Sequence, residues 1–522
     1  MKINFMFKLK YITFTATVTL GVVFLVLVLG GPAKIGSAAQ NMYNKWMILT
    51  MILDKIERFY VDPVDPDALL QNAINGMLSG LDPHSVYLPA AYYKSYSEKY
   101  GGYYGVGLKY HIVGNQFIVT ALVDNGPAAL AGIHVGDRIL KIEGIPIADL
   151  NPSELNSLMS GNDEEVVSIE IQHENDKSRV FELPKRRIHY ESVPAAFKLN
   201  ETTGYIKIVH FTESTPMELD LAFADLNGRG MQQVLIDLRN NSGGMFNAGV
   251  SVADRFLTAG KLIVTTRGRS AQATEQYSAT QRVTFPAYPL ILLVNEATAS
   301  DAEIVAGAIQ DWDRGLVVGR RTYGKALVQT EYPFQDGSVL LLTTARYYTP
   351  LGRLIQREEL TARTEDRDER TLLKYTTPKG RTVYGGGGIQ PDVEISVSDK
   401  QIPDLLKKLY LSRENILFDF VQEYVTTLSE EEKPEDLDRY AFEYEVPDSL
   451  LHLFYQRMKI AKQGVNQNMF DLHIEDIKIA IKQEIALRLW GEQGKYSTAA
   501  LSDEEIQKAL NYFAKARELV SR

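Results

Sequence analysis

Two short, fully apolar segments, each followed by a turn and a helix, constrain the fold of this chain most strongly. The composition of residues 234–238 and 290–294 predicts buried strands. An Asn-Asn-Ser-Gly-Gly turn and a helix over 246–257 follow the first strand, and a turn and a helix over 300–311 follow the second. Strands that alternate with helices in this way indicate α/β units around a central sheet.

The regions on either side of these units have other patterns. Apolar residues at helical spacing predict a helical region over 43–96, in which two Asp-Pro pairs end a helix, while 101–187 favours short strands with a helix at 152–159. Helices return beyond residue 399, and Ser502-Asp503-Glu504-Glu505 has the form of a capping box before the last one. At 522 residues the chain is too long for one core, so three or four domains are expected.

Composition excludes several functional classes. A net charge of -10 argues against nucleic acid as a partner, because such binding relies on basic surface. Without cysteine the chain has no thiol nucleophile, disulfide or thiolate zinc site. The histidines form no His-Glu-x-x-His motif, and neither a Gly-x-Ser-x-Gly motif nor a nucleotide-binding loop is present. We therefore expect no cofactor and no metal.

The N-terminus predicts the compartment. Three lysines, Lys2, Lys8 and Lys10, precede a largely apolar run over 11–30. This run has the length of a membrane anchor, although small residues at 36–40 also suit a cleaved signal peptide. Both alternatives place the rest of the chain outside the cytoplasm, because the lysines stay inside.

Ser300 is the first candidate for chemistry, because it lies where an apolar strand meets a helix. The unpaired N–H groups and positive dipole of a helix start favour an ordinary N-cap serine. The same groups also favour a nucleophile, because they can hold an oxyanion. Position alone leaves both interpretations open.

A serine nucleophile needs a base, and Lys325 lies in a largely uncharged stretch where burial would lower its pKa. Gln329 follows four residues later, and its amide oxygen could orient the amine. The alternatives are a loop lysine before a strand and a polar strand residue. The Gly243-Gly244 pair allows close backbone approach to a substrate, although it also suits a plain strand-to-helix turn.

Taken in order along the chain, the motifs resemble those of the C-terminal processing peptidases, or tail-specific proteases. The resemblance covers about residues 43–397. The segments that carry it are Leu81-Asp82-Pro83-His84-Ser85, Gly105-Val106-Gly107-Leu108, 131–137, 237–244, Thr298-Ala299-Ser300, Gly324-Lys325, Val328-Gln329, 344–350 and 388–392.

This resemblance implies a multidomain α/β fold with a ClpP/crotonase-like peptidase core, an inserted PDZ domain, an N-terminal helical region and a C-terminal helical extension. It implies Ser300 as nucleophile, Lys325 as general base and Gln329 as its positioning residue, with the N–H groups of Gly243 and Asp301 as the oxyanion hole. The expected domains are a signal peptide or anchor (1–39), a helical region (40–98), a PDZ domain (99–190), the Ser-Lys core (191–398) and a helical extension (399–522).

The resemblance also implies partners. The PDZ domain is expected to bind the C-termini of protein or peptide substrates as an added strand, with the terminal carboxylate on the N–H groups of the loop. Apolar tails would fit a pocket, although the proposed pocket residues equally suit plain core. The loop residues are Gly105, Val106, Gly107 and Leu108, and the pocket residues are Leu155, Leu158 and Met159.

Further expectations concern location, assembly and activity. They are a serine endopeptidase on the periplasmic side of the cell envelope, membrane contact through the N-terminal segment, and homo-oligomer formation through the C-terminal helices. Asp301 and Ala326 depart from the family pattern, in which small residues and glycine are usual. A carboxylate beside the nucleophile opposes an oxyanion and raises a lysine pKa. The alternative function is therefore a catalytically impaired PDZ-type peptide-binding scaffold.

Overall fold

The computed structural model describes residues 35–521 except 114–115, 124, 174–176, 281–284, 358–372, 397–415, 430 and 461–465. Two compact units, residues 1–80 and 81–522, make up the chain. In the first unit, α1 (Ile35–Phe59) ends before the two Asp-Pro pairs, as predicted. α2 (Pro66–Leu78) begins behind Asp65, whose carboxylate accepts the Asp67 N–H at 3.0 Å. None of the described helices is long and apolar enough to cross a membrane, and the run at 11–30 lies outside the described residues.

The second unit begins with a strand that the sequence pattern did not predict. The helical pattern over 43–96 includes β1 (Val86–Leu88), which pairs antiparallel with β18 (Val339–Tyr348). A three-residue strand depends on its partner rather than on its own periodicity, so only the tertiary structure reveals it. α3 (Ala90–Gly101) then follows as a helix.

Residues 103–188 form a β domain with the predicted strand-rich pattern. Its sheet has the order β3-β4-β5-β7-β8, with β6 beside β5, and β2 pairs with β9. The predicted segments 116–122, 152–159 and 166–172 are confirmed as β4, α5 and β7. The elements are β2 (Tyr103–Gly105), β3 (Leu108–Val113), β4 (Gln116–Leu122), α4 (Pro127–Leu130), β5 (Arg138–Ile142), β6 (Ile145–Pro146), a short 3₁₀ helix (Ile147–Asp149), α5 (Pro152–Met159), β7 (Val166–Gln172), β8 (Arg179–Pro184) and β9 (Arg186–Ile188).

The α/β units predicted from the two apolar strands form a sheet of order β10-β11-β12-β15-β16-β21. β10 is antiparallel to its neighbour and the other pairs are parallel. The strands are β10 (Ala195–Lys198), β11 (Thr203–Lys207), β12 (Gln233–Asp237), β15 (Leu290–Val294), β16 (Leu316–Gly319) and β21 (Val393–Glu394), and the helices between them are α6 (Thr215–Gly228), α7 (Phe246–Asp254) and α8 (Asp301–Asp311).

A second, antiparallel sheet lies beside this one in the same unit. It has the order β1-β18-β13-β14, with β17 also paired to β18. Its remaining strands are β13 (Leu262–Gly268), β14 (Glu275–Ser278) and β17 (Leu327–Pro333), and β19 (Lys374–Thr376) and β20 (Thr382–Tyr384) form a separate hairpin. A 3₁₀ turn (Ala271–Ala273) lies between β13 and β14.

Helices follow the strands of the central sheet, as predicted. Ile477, Ile481 and Ile485 are buried in a core shared with the first helices of this region. Residues 490 and 491 interrupt the long helix. The helices are α9 (Ile416–Thr427), α10 (Leu437–Glu443), α11 (Asp448–Ile460), α12 (Gln467–Leu472), α13 (Ile474–Ser502), α14 (Glu504–Leu510) and α15 (Phe513–Ser521).

The capping prediction for α14 needs a correction. Asp503, not Ser502, is the N-cap residue, because its Oδ1 accepts the N–H groups of Glu505 at 2.9 Å and Ile506 at 3.0 Å. The Ser502 hydroxyl instead donates to the Ala499 carbonyl oxygen at 3.1 Å. Both residue types favour an N-cap, so only the chain direction at the helix start decides between them.

The last two helices cover one face of the central sheet. In β15 the side chains of Leu290 and Leu292 pack in the core that contains residues of α6, α7 and α8, whereas Ile291 and Leu293 pack against Phe513 and its neighbours. Alternation of side chains along a strand produces this division, and it explains why the predicted strands are apolar throughout. α14 and α15 are therefore a layer of the central α/β fold.

We expect Phe513→Ala to lower the free energy of unfolding by about 3 kcal/mol, because it leaves a cavity against a buried sheet face. Phe442→Ala removes an exposed ring from α10 and is the matched control. Urea unfolding of both variants measures the difference. Equal stability of the two variants would show that α15 does not contribute to the core.

Candidate active site

The turn between β15 and α8 places Ser300 at the start of the helix. Ser300 is the N-cap residue, and its φ of 57° and ψ of -117° are values that L residues rarely adopt. Such a conformation costs about 1–3 kcal/mol and persists only where the surroundings hold it. The position predicted for an N-cap is confirmed, and the backbone strain adds a functional signal that sequence pattern does not contain.

A buried glutamate holds this strained turn. Glu303 is fully buried, and one of its carboxylate oxygens accepts the Ser300 N–H at 2.9 Å and the Lys325 N–H at 2.9 Å. The other oxygen accepts the Gly324 N–H at 2.7 Å and the Thr322 hydroxyl at 2.5 Å. Burial raises the pKa of Glu303 to about 7, against the opposing effect of these donors. One carboxylate therefore connects the turn at Ser300 to the segment that carries Lys325.

The backbone at Lys325 is held from the other side by Tyr347 and Gln356. The Tyr347 hydroxyl lies 3.0 Å from the Ser300 carbonyl oxygen and 2.6 Å from that of Lys325. Gln356 accepts the Ala326 N–H at 2.7 Å. Burial lowers the pKa of the Lys325 amine, and the charges of Asp301, Asp82 and Glu303 oppose this only in part. A lysine with a lowered pKa can act as a base nearer neutral pH.

A cavity of about 450 Å³ brings the predicted catalytic side chains together. Ser300, Lys325 and Gln329 all line it, although Ser300 and Lys325 belong to different segments. Gly244 and Asp301 also line it. Ser300 and Lys325 therefore line the same cavity, and burial of Lys325 argues against a surface loop lysine.

The turn that carries Gly243 and Gly244 approaches Ser300 closely. Gly243 has a φ of +96°, and a Cβ there would lie 2.7 Å from the Ser300 Cβ and 3.2 Å from the backbone nitrogen of Asp301. The Gly243 N–H donates to Asn241 Oδ1 at 2.8 Å. An oxyanion role for Gly243 therefore requires that this bond be exchanged for one to the substrate, and the role stays a prediction.

Asp301 has contacts that its sequence position did not predict. Its side chain is buried, and Oδ2 accepts the Gly244 N–H at 2.7 Å. Burial raises the pKa of Asp301 to about 6, while the Gly244 hydrogen bond and the charge of Lys325 act in the opposite direction. Because Asp301 lines the cavity next to Ser300, its titration makes the charge of the cavity depend on pH.

Gln329 donates a hydrogen bond into a chain of polar side chains. Its Nε2 donates to Thr343 Oγ1 at 3.3 Å, and the Thr343 hydroxyl donates to Asp82 at 3.1 Å. Asp82 also accepts the Ser85 hydroxyl at 2.8 Å. Burial raises the pKa of Asp82, but its hydrogen bonds outweigh this and lower the pKa overall. The positioning role of Gln329 stays a prediction, and the structure adds Asp82 as the end of its hydrogen-bond chain.

His84 is the site residue that sequence reasoning missed. Its Nε2 is buried, and no hydrogen-bond partner for it is found among the described residues. Burial lowers the pKa of the imidazole, and the positive charge of Lys325 lowers it further. The Leu81-Asp82-Pro83-His84-Ser85 motif is thus coupled to the site, through the charge of Lys325 on His84 and through the hydrogen bonds that link Asp82 to Thr343 and Thr343 to Gln329, and no local spacing links it to Lys325.

The predicted peptide-binding residues lie in the β domain. Val106, Leu108, Leu155 and Met159 are buried in its core, and Leu158 packs against that core while partly exposed. The side-chain positions of Leu155 and Met159 fit the alternative of plain core. Gly105 and Gly107 lie in and just after β2. Their roles in peptide binding stay predictions.

The β domain also contains a group of potential metal ligands. His134, Asp137 and His173 have donor atoms within 4.8 Å of one another. Asp137 already lies 2.5 Å from His173 Nδ1 through one oxygen and accepts the His134 N–H at 2.8 Å through the other. These contacts give the carboxylate a structural role in the turn before β5.

Comparison with known proteins gives the family. The model for peptidase family S41 matches residues 202–365, and the model for a PDZ domain matches residues 118–173. The chain is 34% identical over 323 residues to the carboxy-terminal-processing protease of Bartonella bacilliformis, covering 61% of this chain and 74% of that protein. It is 27% identical over 409 residues to the carboxy-terminal processing protease CtpA of Bacillus subtilis, covering 78% and 84%. The solved structure of the photosystem II D1 C-terminal processing protease is 28% identical to this chain. The match covers 65% of this chain and 84% of that protein, with a TM-score of 0.35.

We expect Glu303→Ala to lower the free energy of unfolding by about 3 kcal/mol or more, because several buried N–H groups would lose their acceptor. Glu213→Ala, an exposed glutamate, is the control. Urea unfolding measures both. A change of less than about 1 kcal/mol would contradict the structural role of Glu303.

Proposed function

Because the chain belongs to peptidase family S41 and is a C-terminal processing serine protease, we propose that Ser300 is its nucleophile and Lys325 its general base. One observation carries this assignment. The two side chains line one cavity, and burial lowers the pKa of the lysine there. The sequence has no cysteine nucleophile and no motif typical of a histidine-activated nucleophile.

The reaction follows from these positions. The Ser300 hydroxyl attacks the scissile carbonyl carbon while neutral Lys325 takes its proton, and the protonated lysine then gives a proton to the leaving amine. Water activated by Lys325 releases the acyl group from Ser300. The N–H groups of Gly243 and Asp301 stabilise the tetrahedral oxyanion, after the bond from Gly243 to Asn241 is exchanged for one to the substrate.

The substrates we propose are proteins with unstructured, apolar C-termini. The PDZ domain would bind the last residues as a strand added beside β3, with the terminal carboxylate at Gly105, Val106, Gly107 and Leu108. Catalysis then takes place in the same unit of the chain, which includes both the PDZ domain and the cavity.

We further propose that the protein works on the periplasmic side of the cell envelope. The lysines and the apolar run of residues 2–30 support this location. Fractionation of cells, with protease accessibility of a C-terminal tag, tests it. Recovery of the full-length tagged protein from the soluble cytoplasmic fraction would contradict it.

We expect Ser300→Ala and Lys325→Met each to reduce cleavage of a tailed, unstructured substrate by about 1,000-fold or more, because the nucleophile or its base is lost. Two control variants should keep activity. Ser270→Ala changes an exposed serine. Lys261→Met changes a half-buried lysine that lies outside the cavity and whose own pKa is also lowered. Intact masses of substrate and products measure turnover.

One observation favours the alternative of a catalytically impaired scaffold: the Asp301 carboxylate accepts the Gly244 N–H beside the proposed nucleophile. It predicts tail-peptide binding without turnover by the unmodified protein. Wild-type cleavage that disappears in Ser300→Ala would exclude it. Equal cleavage by wild type and Ser300→Ala would contradict the proposed nucleophile.

We expect Asp301→Asn to move the acidic limb of the kcat/KM profile to lower pH. The Asp301 charge stabilises the Lys325 ammonium and so raises the lysine pKa, and the isosteric amide removes that charge while keeping an acceptor for Gly244. More of the lysine is then neutral at a given pH below its pKa. Asp225→Asn, which removes an exposed carboxylate, is the control. An unchanged limb, or one at higher pH, would contradict the coupling.

A further inference from the structure

One carboxylate of the C-terminal helices reaches the central sheet at the end where the catalytic turns lie. Glu505, on α14, has a side chain only 9% exposed. Its Oε2 accepts Arg239 Nη1 at 2.5 Å, and its Oε1 accepts Arg320 Nη1. Asp503 adds a second contact to Arg239 at 2.9 Å. The helix start is thus connected to two arginines that come from different segments of the core.

Arg239 belongs to the turn that carries the glycine pair. It lies two residues after the end of β12 and four positions before Gly243. Its guanidinium also binds Asp237 through bonds of 2.7 to 3.1 Å. Burial alone would raise the pKa of Asp237, but the charges of Lys207 and Arg239 outweigh it and lower the pKa to about 2. The base of this turn is therefore a fixed cluster of charges.

Arg320 reaches the other catalytic turn. Its Nε donates to Glu296 at 2.7 Å, and Glu296 lies between β15 and Ser300. The Arg320 N–H donates to the Val294 carbonyl oxygen at 3.0 Å, which fixes the arginine to the end of the strand that leads to the nucleophile. Glu505 therefore contacts both turns, the first through Arg239 and the second through Arg320.

The two turns also contact each other directly. The Asn240 N–H donates to Asn295 Oδ1 at 2.9 Å, and the Asn295 amide donates to Asn240 Oδ1 at 2.8 Å. The Ala299 N–H donates to the Asn241 carbonyl oxygen at 2.9 Å. These bonds fix the local spacing, whereas the ion pairs to Glu505 fix both turns to a third element outside the sheet.

We propose that Glu505 is a positioning residue for the peptidase: it holds the oxyanion turn, through Arg239, and the nucleophile turn, through Arg320 and Glu296, in the spacing needed for attack. This rests on the proposed roles of Ser300 and Gly243. The C-terminal helices are then a working part of the catalytic core.

Stability alone is a weak reason to bury this carboxylate. Desolvation of a carboxylate and two guanidinium groups offsets much of their attraction, and apolar contacts of Ile506 and Phe513 already attach the helices to the sheet. The ion pairs fix the positions of the turns, because each arginine also binds a second carboxylate next to or in its own turn, Asp237 for Arg239 and Glu296 for Arg320. Displacement of catalytic groups by about 1 Å can cost about 100-fold in rate.

The test compares Glu505→Gln with Glu504→Gln, the neighbouring glutamate, which pairs with Lys508 of the same helix at 3.7 Å and is half exposed. We expect Glu505→Gln to lower kcat about 10-fold with KM changed less than about two-fold, and Glu504→Gln to match wild type. Glu296→Gln, on the exposed side of the network, should lower kcat without a loss of thermal stability. The double variant Glu296→Gln/Glu505→Gln should lose less than the product of the single effects, because both act on one network.

A second measurement does not depend on activity. Hydrogen–deuterium exchange of residues 239–244 and 295–300 should be about five-fold faster in Glu505→Gln than in Glu504→Gln, because the turns lose an anchor. Wild-type kcat in Glu505→Gln, or unchanged exchange in both turns, overturns the proposal. If wild type itself shows no Ser300-dependent cleavage, the proposed function fails, and the exchange comparison still decides the role of Glu505.

Discussion

The buried carboxylate of Glu303 is the contact on which the geometry of the site depends. It accepts hydrogen bonds from the backbone of Ser300, Gly324 and Lys325, so the proposed nucleophile and base are fixed by one group that is excluded from solvent. The strained backbone of Ser300 needs such a restraint, because relaxation would otherwise release the strain. The proposed catalytic pair is therefore positioned through its main chain, and Glu303 makes no hydrogen bond to the Ser300 hydroxyl or the Lys325 amine among those of the described residues.

Around this contact, the central sheet supplies a rigid base. Its strands are covered on both faces, by α6, α7 and α8 on one side and by α14 and α15 on the other. The turns after β12 and β15 meet at one end of the sheet, as parallel neighbours require. Arg239 and Arg320 connect these turns to Glu505. The helix layer that covers the sheet therefore also contacts the turns on which the proposed catalytic residues lie.

Much of this arrangement follows from local pattern. The apolar strands and the helices after them were predictable, and so were the positions of Ser300 and Lys325 on turns next to the sheet. The partners of these residues were not predictable, because they come from distant segments. His84, from an N-terminal motif with the pattern of a simple turn, lies close enough to Lys325 for that charge to lower its pKa. The strand β1 depends on its pairing with β18. Gly243 was correctly placed beside Ser300, yet the bond of its N–H to Asn241 depends on side-chain packing within the turn.

The sequence by itself determined the family, the order of the domains and the chemical groups available for catalysis, because ordered motifs and hydrophobic periodicity are properties of local chain. Only the tertiary structure decided how those groups are charged and held. Burial, which no spacing encodes, lowers the pKa of Lys325 and raises those of Asp301 and Glu303. Packing of α14 against the sheet likewise gave Glu505 two arginine partners, since contacts between residues far apart in the chain arise only when the layers assemble.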